Sequence, residues 1–418
     1  MATQNNNGNG IASEERTKQS AALVPKLRFK EFEGEWEQKK LGDVSSKVAY
    51  GMNSAAITFD GKHKYLRITD IDEETREFIP SPLTSPDGLI EDKFKMKLND
   101  IVFARTGAST GKSYLYNPKD GDLYYAGFLI KVNISKANSY FVYSQTFKES
   151  YRKWVQVYSM RSGQPGLNAE EYKNLKISIP QDEEQQKIAN FLTAVDTKLQ
   201  QLTTKKELLA QYKKGVMQQL FSQQLRFKAD DGSDFADWEF PHANILFKSV
   251  SDKKHNSDLP ILAITQDQGA IPRDMINYQM IVTDKSVSSY KVVQVGDFII
   301  SLRSFQGGIE YSNYHGICSP AYNILRPTSE NVNSDFYRIY LKTAFYIKQL
   351  QKRLEGIRDG KMISYKYFSE IKLPFPSLKE QQKIASYLSA IDAKIELVNV
   401  QITKTQGFKK GLLQAMFV

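Results

Sequence analysis

Apolar residues recur at alternating steps of three and four along two stretches of the chain. In the first, Ile188, Leu192, Val195, Leu199, Leu202, Leu209, Tyr212, Val216 and Leu220 hold one phase, interrupted only by polar Lys205 and Lys206. In the second, Ile384, Leu388, Ile391, Ile395, Val398, Ile402, Phe408, Leu412 and Met416 keep the same phase. A stripe sustained this long predicts a coiled-coil seam. The plainer outcome, an amphipathic helix lying on its own globule, would leave much of such a stripe uncovered. Pro180 and Pro376 stand just before the two starts, where a missing N–H costs little, and Asp182, Glu183 and Glu184 suit the positive helix end. Roughly 40 residues at about 1.5 Å each make a rod of about 60 Å.

The two stretches are copies. Glu184-Gln185-Gln186-Lys187-Ile188-Ala189 returns at Glu380-Gln381-Gln382-Lys383-Ile384-Ala385, and fifteen of 38 aligned positions are identical without a gap. A spacing near two hundred residues means duplication of a whole domain with its connector, not a solenoid repeat. Only Ser222, Gln223 and Gln224 separate the first rod from Leu225, where a second globule opens. To bury its seam on the first rod, the second must run backwards. The expected fold is therefore α+β, with two strand-rich globules separated by two long antiparallel coiled-coil helices and an internal pseudo-two-fold duplication.

Shorter apolar runs fill the globules. Leu27-Arg28-Phe29-Lys30 and then Trp36-Glu37 open the first, and Leu225-Arg226-Phe227-Lys228 and then Trp238-Glu239 open the second. Strands are predicted at 65–69, 101–104, 128–132 and 177–179, with counterparts at 261–265, 298–301, 322–325 and 371–375. Helices are predicted over 139–157 and 334–354. The segments between, such as 70–98 against 266–295, share little. Common frames with divergent tips suit two heads that contact different targets.

Composition narrows the class. With 418 residues, 41 % apolar and 12 % aromatic, the chain can build two or three cores. A formal charge of +10 favours a polyanionic partner. The single cysteine, Cys318, excludes an intrachain disulfide and fits a reducing cytoplasm. Four histidines and one cysteine write no zinc site of usual spacing. No run of 18 apolar residues exists, so no membrane association is expected, and residues 1–20 are polar rather than a signal peptide.

Three readings compete for Arg105-Thr106-Gly107-Ala108-Ser109-Thr110-Gly111-Lys112-Ser113, which follows an apolar strand. It resembles a phosphate-binding P-loop, but three residues separate the glycines where four are needed, and the second globule has Arg303-Ser304-Phe305-Gln306-Gly307-Gly308 instead. It could equally be a turn whose glycines allow close approach while Arg105 and Lys112, or Arg303, reach a phosphate or base edge. A solvated glycine turn is the third. An Arg and a Gly also recur just ahead of each rod, in 161–166 and 358–361, where a turn requirement and a phosphate or base contact both fit. The acidic cluster of Asp87, Glu91 and Asp92 is too tight in sequence for a metal-dependent nuclease core. His63, His242, His255 and His315 suggest no catalytic triad, and no glycine-rich methyltransferase loop occurs, so no catalytic residue is assigned.

The Leu-Arg-Phe openings with their tryptophans, the Glu-Gln-Gln-Lys-Ile-Ala helix starts after Pro180 and Pro376, and the alternation of variable globule with repeated rod together resemble the specificity subunit of type I restriction-modification systems. The likeness covers essentially everything after the N-terminal arm. The polar, Asn/Gly-rich start reads as a disordered arm over 1–25, and the likeness implies a target recognition domain over 26–180, a spacer helix over 181–222, a second target recognition domain over 223–376 and a second spacer helix over 377–418. Each domain would read one half of a bipartite, asymmetric double-stranded DNA target, and the helices would set the gap. The resemblance also implies two methyltransferase subunits carrying S-adenosylmethionine, and an assembly that can add two restriction subunits using ATP and Mg, with no cofactor or metal in this chain. On this reading DNA contacts fall on Arg105, Thr106, Ser109, Lys112, Arg161, Gln164, Arg303, Ser304, Gln306, Arg358 and Lys361. Contacts to the methyltransferase fall on Gln185, Gln186, Lys187, Gln381, Gln382 and Lys383, and the protein is expected in the cytoplasm on the nucleoid. The competing functions are a nucleotide-binding enzyme built on the P-loop-like turn and a coiled-coil protein scaffold.

Overall fold

The structure, a computed structural model, describes residues 23–276, 287–352 and 363–418. Two compact units divide the chain: Met1–Thr203 with Val400–Val418, and Thr204–Asn399. The two long helices are Asp182–Phe221 and Leu378–Ala415, and each unit takes part of both.

In unit 1 the central sheet is antiparallel, in the order Ser45–Tyr50, Leu129–Ile134, Asp100–Ala104, Ser113–Leu115. Its middle strands are buried on both faces, as their continuous apolar runs require. Unit 2 repeats the order with Phe247–Val250, Asn323–Pro327, Phe298–Ile300 and Glu310–Tyr311. The duplication thus holds in topology where the loops have lost it in sequence.

The edge pair departs from that symmetry. Glu37–Lys40 and Lys176–Ile179 form a four-residue ladder in unit 1. In unit 2 the predicted strand at 371–375 is reduced to isolated bridges, Glu239 with Phe375 and His242 with Lys372. Pro241 carries no N–H, so its pairing with Leu373 keeps only one of two bonds, from Leu373 N–H to the Pro241 carbonyl at 3.0 Å.

The predicted helix over 139–157 is two helices, Ser139–Ser144 and Glu149–Tyr158. Thr146 donates its hydroxyl to the Tyr143 carbonyl and so takes an acceptor of the last turn. Thr343 does the same to Tyr340 in unit 2, separating Ser334–Tyr340 from Ala344–Lys352.

The long helices serve both as seam and as core. In unit 1, Ile188, Leu192 and Val195 are buried in one cluster with Trp36 and Phe141 of the head and with Leu412, Met416 and Phe417 of the second helix. In unit 2, Ile384, Leu388 and Ile391 are buried with Trp238, Phe336, Val216 and Leu220. Within each unit the two helices run antiparallel: in unit 2 Lys206 reaches Asn399 at 2.7 Å, and Lys213 reaches Asp392 at 2.6 Å. The equivalent pair in unit 1 is Lys409 with Asp196, at 2.6 Å. Two seam positions differ from expectation. Tyr212 and Phe408 are 52 % and 55 % exposed. Next to Tyr212, Lys213 is only partly exposed and spans the pair to Asp392.

Candidate nucleic-acid interface

The repeated hexapeptide begins with two buried residues that lock each head onto its helix. Glu184, fully buried, accepts from Arg28 Nε at 2.8 Å and Nη2 at 2.7 Å, and from the Trp36 indole at 3.3 Å. Glu380 does the same with Arg226, at 3.1 and 2.9 Å, and with Trp238 at 3.0 Å. Gln185 accepts from the Asn138 N–H and donates to the Pro180 carbonyl, and Gln381 repeats this with Asn333 and Pro376. Gln185 and Gln381 are 1 % and 0 % exposed, so the expectation that they face a partner is corrected: both amides are spent inside the chain. Gln186, Lys187, Gln382 and Lys383 lie at the surface. Lys187 pairs with Glu31 and lies 4.8 Å above Phe29, and Lys383 pairs with Asp230 at 2.7 Å.

Two loops far apart in sequence form one surface at the end of strand Asp100–Ala104. Gly107 N–H donates to the Pro165 carbonyl at 3.0 Å, Leu167 N–H to the Arg105 carbonyl at 2.8 Å, and Thr106 bridges Gly166. Gln164 packs over Gly107, whose φ of +78° favours glycine. Arg105 lies 4.9 Å over the ring of Tyr50. Arg161 is more constrained. It donates to the Tyr158 and Met160 carbonyls, both at 2.9 Å, and pairs with Glu171, closing the end of helix Glu149–Tyr158.

Lys112 is not a surface cation. It is 5 % exposed and donates to the Ile71 carbonyl at 2.8 Å and to Glu73 at 2.6 Å, which it holds below the usual carboxylate range. Ser109 also donates to Glu73, at 3.2 Å. Gly111 answers to packing: a Cβ there would meet Val155 at 2.6 Å. A strand, Ser113–Leu115, follows the turn where a nucleotide-binding P-loop needs a helix whose N–H groups face the phosphates. The P-loop reading of the motif is therefore corrected, and so is the assignment of Lys112 to DNA.

In unit 2, Ser304 is likewise internal. It is 1 % exposed, and its hydroxyl accepts from Ser301 N–H at 2.7 Å to shape the turn. Arg303 and Gln306 are exposed. The Arg303 carbonyl accepts from Gln266 at 3.2 Å, and among the described residues its guanidinium has no ion-pair partner. Beside it, Lys342 donates to the Gln266 and Gly307 carbonyls and to Glu310, whose carboxyl is pushed up by burial. Arg358 and Lys361 lie outside the described residues. A cleft of about 540 Å³ is lined by Lys253, Lys254, His255, Asp258 and His315, gathering two histidines that sequence left scattered. His255 uses both ring nitrogens, on the Tyr290 carbonyl and the Ser257 N–H, so the cleft offers cations rather than a proton-transfer pair.

Residues 33–210 and 239–405 match the family model described as the type I restriction modification DNA specificity domain. The chain belongs to this family.

A specificity chain recognises DNA sequence, and neither the nucleotide-binding enzyme nor the bare scaffold is supported. Two relatives come from Methanocaldococcus jannaschii. The type I restriction enzyme MjaVIII specificity subunit is 25 % identical over 93 % of this chain and 94 % of its own length. A second, provisionally named as the MjaX specificity subunit, is 25 % identical over 94 % and 95 %. The fold is that of a crystallised type I S subunit from M. genitalium, at a TM-score of 0.57 and 17 % identity, covering 95 % of this chain and 99 % of that one. Among the described residues no helix is long and apolar enough to cross a membrane. Sequence reasoning had not singled out Tyr50, Gln266 or Lys342 as parts of these surfaces, nor Glu184 and Glu380 as buried clamps. Only the invariance of Glu184 and Glu380 between the two copies hinted at their role.

Proposed function

We propose that each unit of this specificity chain reads one half of a bipartite, asymmetric DNA target and that the paired helices fix the separation of the halves. The observation carrying this reading is sameness of frame with difference of tip. Both sheets share one strand order and both heads share the buried glutamate clamp, yet the turn after the central strand presents Arg105 over Tyr50 in one unit and Arg303 beside Gln266 in the other. Two unlike readers on like frames select two unlike half-sites. Two heads also add their free energies, each base contact being worth about 1 to 3 kcal/mol of discrimination.

The chain does no chemistry of its own in this reading. It docks two methyltransferase subunits, which carry S-adenosylmethionine, through exposed positions that include Gln186, Lys187, Gln382 and Lys383, and two restriction subunits using ATP and Mg can join. Its site of action is cytoplasmic DNA in the nucleoid. In support, the lysine that would have served nucleotide chemistry is buried against Glu73.

Mapping N6-methyladenine genome-wide with and without this chain tests the reading. A split motif that vanishes with the chain supports it, and an unchanged methylome refutes it. Seven residues inserted into each long helix at the facing pair Lys206 and Asn399 should lengthen the unread gap by roughly 3 base pairs, from about 10 Å of added helix. An unchanged gap would refute the spacing role.

A further inference from the structure

We infer that Arg105, seated against the ring of Tyr50, is the guanine-reading side chain of unit 1; this rests on the half-site reading above. Most described arginines of this unit have a carboxylate partner. Arg28, Arg67, Arg152 and Arg161 are each neutralised by a carboxylate, from Glu184, Asp70, Glu149 and Glu171 respectively. Two have no such partner among the described residues: Arg76, 5.9 Å from the Phe147 ring, and Arg105, 4.9 Å from the Tyr50 ring, and of these only Arg105 stands in the turn that ends the central strand Asp100–Ala104 beside Gln164.

A ring against the guanidinium restricts where the side chain can reach, and with no carboxylate bound its N–H fork is left for a second partner. A phosphate can be met by any nearby cation in many orientations, whereas the O6/N7 edge of guanine must be met in plane by two N–H groups. A restrained side chain therefore serves base reading more than phosphate contact. The mounting is equally fixed. Arg105 N–H donates to the Phe128 carbonyl at 3.0 Å, and its own carbonyl accepts from Leu167 at 2.8 Å, so the backbone is tied on both sides. Tyr50 ends strand Ser45–Tyr50, and its hydroxyl accepts from Ala169 N–H at 3.1 Å, which anchors the ring as well.

The surroundings agree with a groove floor rather than a phosphate track. Phe128, joined to Arg105 through the backbone, is 62 % exposed, and Tyr50 is 42 % exposed. Apolar rings beside an unpaired cation match base faces and thymine methyls better than the charged backbone. Gln164, packed over Gly107 of the same surface, adds an amide able to pair with an adenine edge. Unit 2 has no counterpart of this contact: no described aromatic ring lies against the Arg303 guanidinium.

The test uses the full methyltransferase complex acting on plasmid DNA that carries a randomised insert, with N6-methyladenine read by sequencing. Arg105→Lys keeps the charge and removes the fork. It should lower the preference for guanine at one position of one half-site by roughly 5- to 150-fold and leave the other half-site unchanged. Tyr50→Ala should relax the same position, and Tyr50→Phe, which keeps the ring and loses only its bond to Ala169, should relax it less. Methylation of the untouched half-site motif and co-purification with the methyltransferase subunit certify that each variant is folded. A motif that stays sharp in Arg105→Lys, or a uniform fall at every position with a shallower salt dependence, would overturn the assignment and leave the half-site reading standing. If the unaltered chain yields no split motif at all, both fall together.

Discussion

Replacing Glu184 by alanine removes the acceptor on which unit 1 closes. The carboxylate is fully buried, and it serves Arg28 through two charge-assisted bonds and the 2 % exposed Trp36 through one. Losing one member of a buried pair costs about 3 to 5 kcal/mol, mostly from the charge left behind. Here Arg28 remains 13 % exposed and keeps the Gly34 and Glu33 carbonyls, which reduces the loss to about 2 to 4 kcal/mol. Trp154 and Trp238 replaced by Phe would leave Trp36 as the only tryptophan, so urea unfolding followed by its fluorescence reports unit 1 without the transition of unit 2. Arg28→Met completes a cycle: with both partners removed no uncompensated charge remains, and the double variant should be about 2 kcal/mol more stable than the two single losses predict. Additivity to within about 0.5 kcal/mol would refute the clamp as an energetic unit.

Three further outcomes follow from other parts of the chain. Cys318 is fully buried and burial pushes its thiol up to about 12, so a thiol reagent at pH 8 should label it only after denaturant is added. Because the folded value is the higher one, the stability tied to this group is complete below about pH 9 and is lost as pH rises from there toward 12, which alkaline unfolding of wild type against Cys318→Ala would measure. Lys253→Ala with Lys254→Ala, in the basic cleft of unit 2, should weaken DNA binding about equally on all sequences and lower the slope of log affinity against log salt by roughly 2. A sequence-selective loss would contradict that. Lys213→Asp should cost about 1 kcal/mol, and Asp392→Lys in the same chain should recover most of it, because the pair is exposed on both sides, 25 % and 49 %; thermal melts would show the recovery.

What the sequence determined by itself is everything carried by period and repetition. The helices Asp182–Phe221 and Leu378–Ala415 follow from apolar steps of three and four, the central strands from short apolar runs, and the antiparallel pairing from the three-residue link before Leu225. These are local properties, and a linker too short to turn any other way makes even the topology local. Only the tertiary structure decided which polar residues were spent on the fold. Lys112 and Gln185 read as surface groups until Glu73, Ile71, Asn138 and Pro180 are brought to them from elsewhere in the chain. Likewise Arg105 acquires its meaning from Tyr50, Phe128 and Gln164, which approach it from three other segments. Hydrophobic periodicity is written along the chain, but the desolvation that turns one lysine inward and leaves one arginine outward depends on neighbours that only folding supplies.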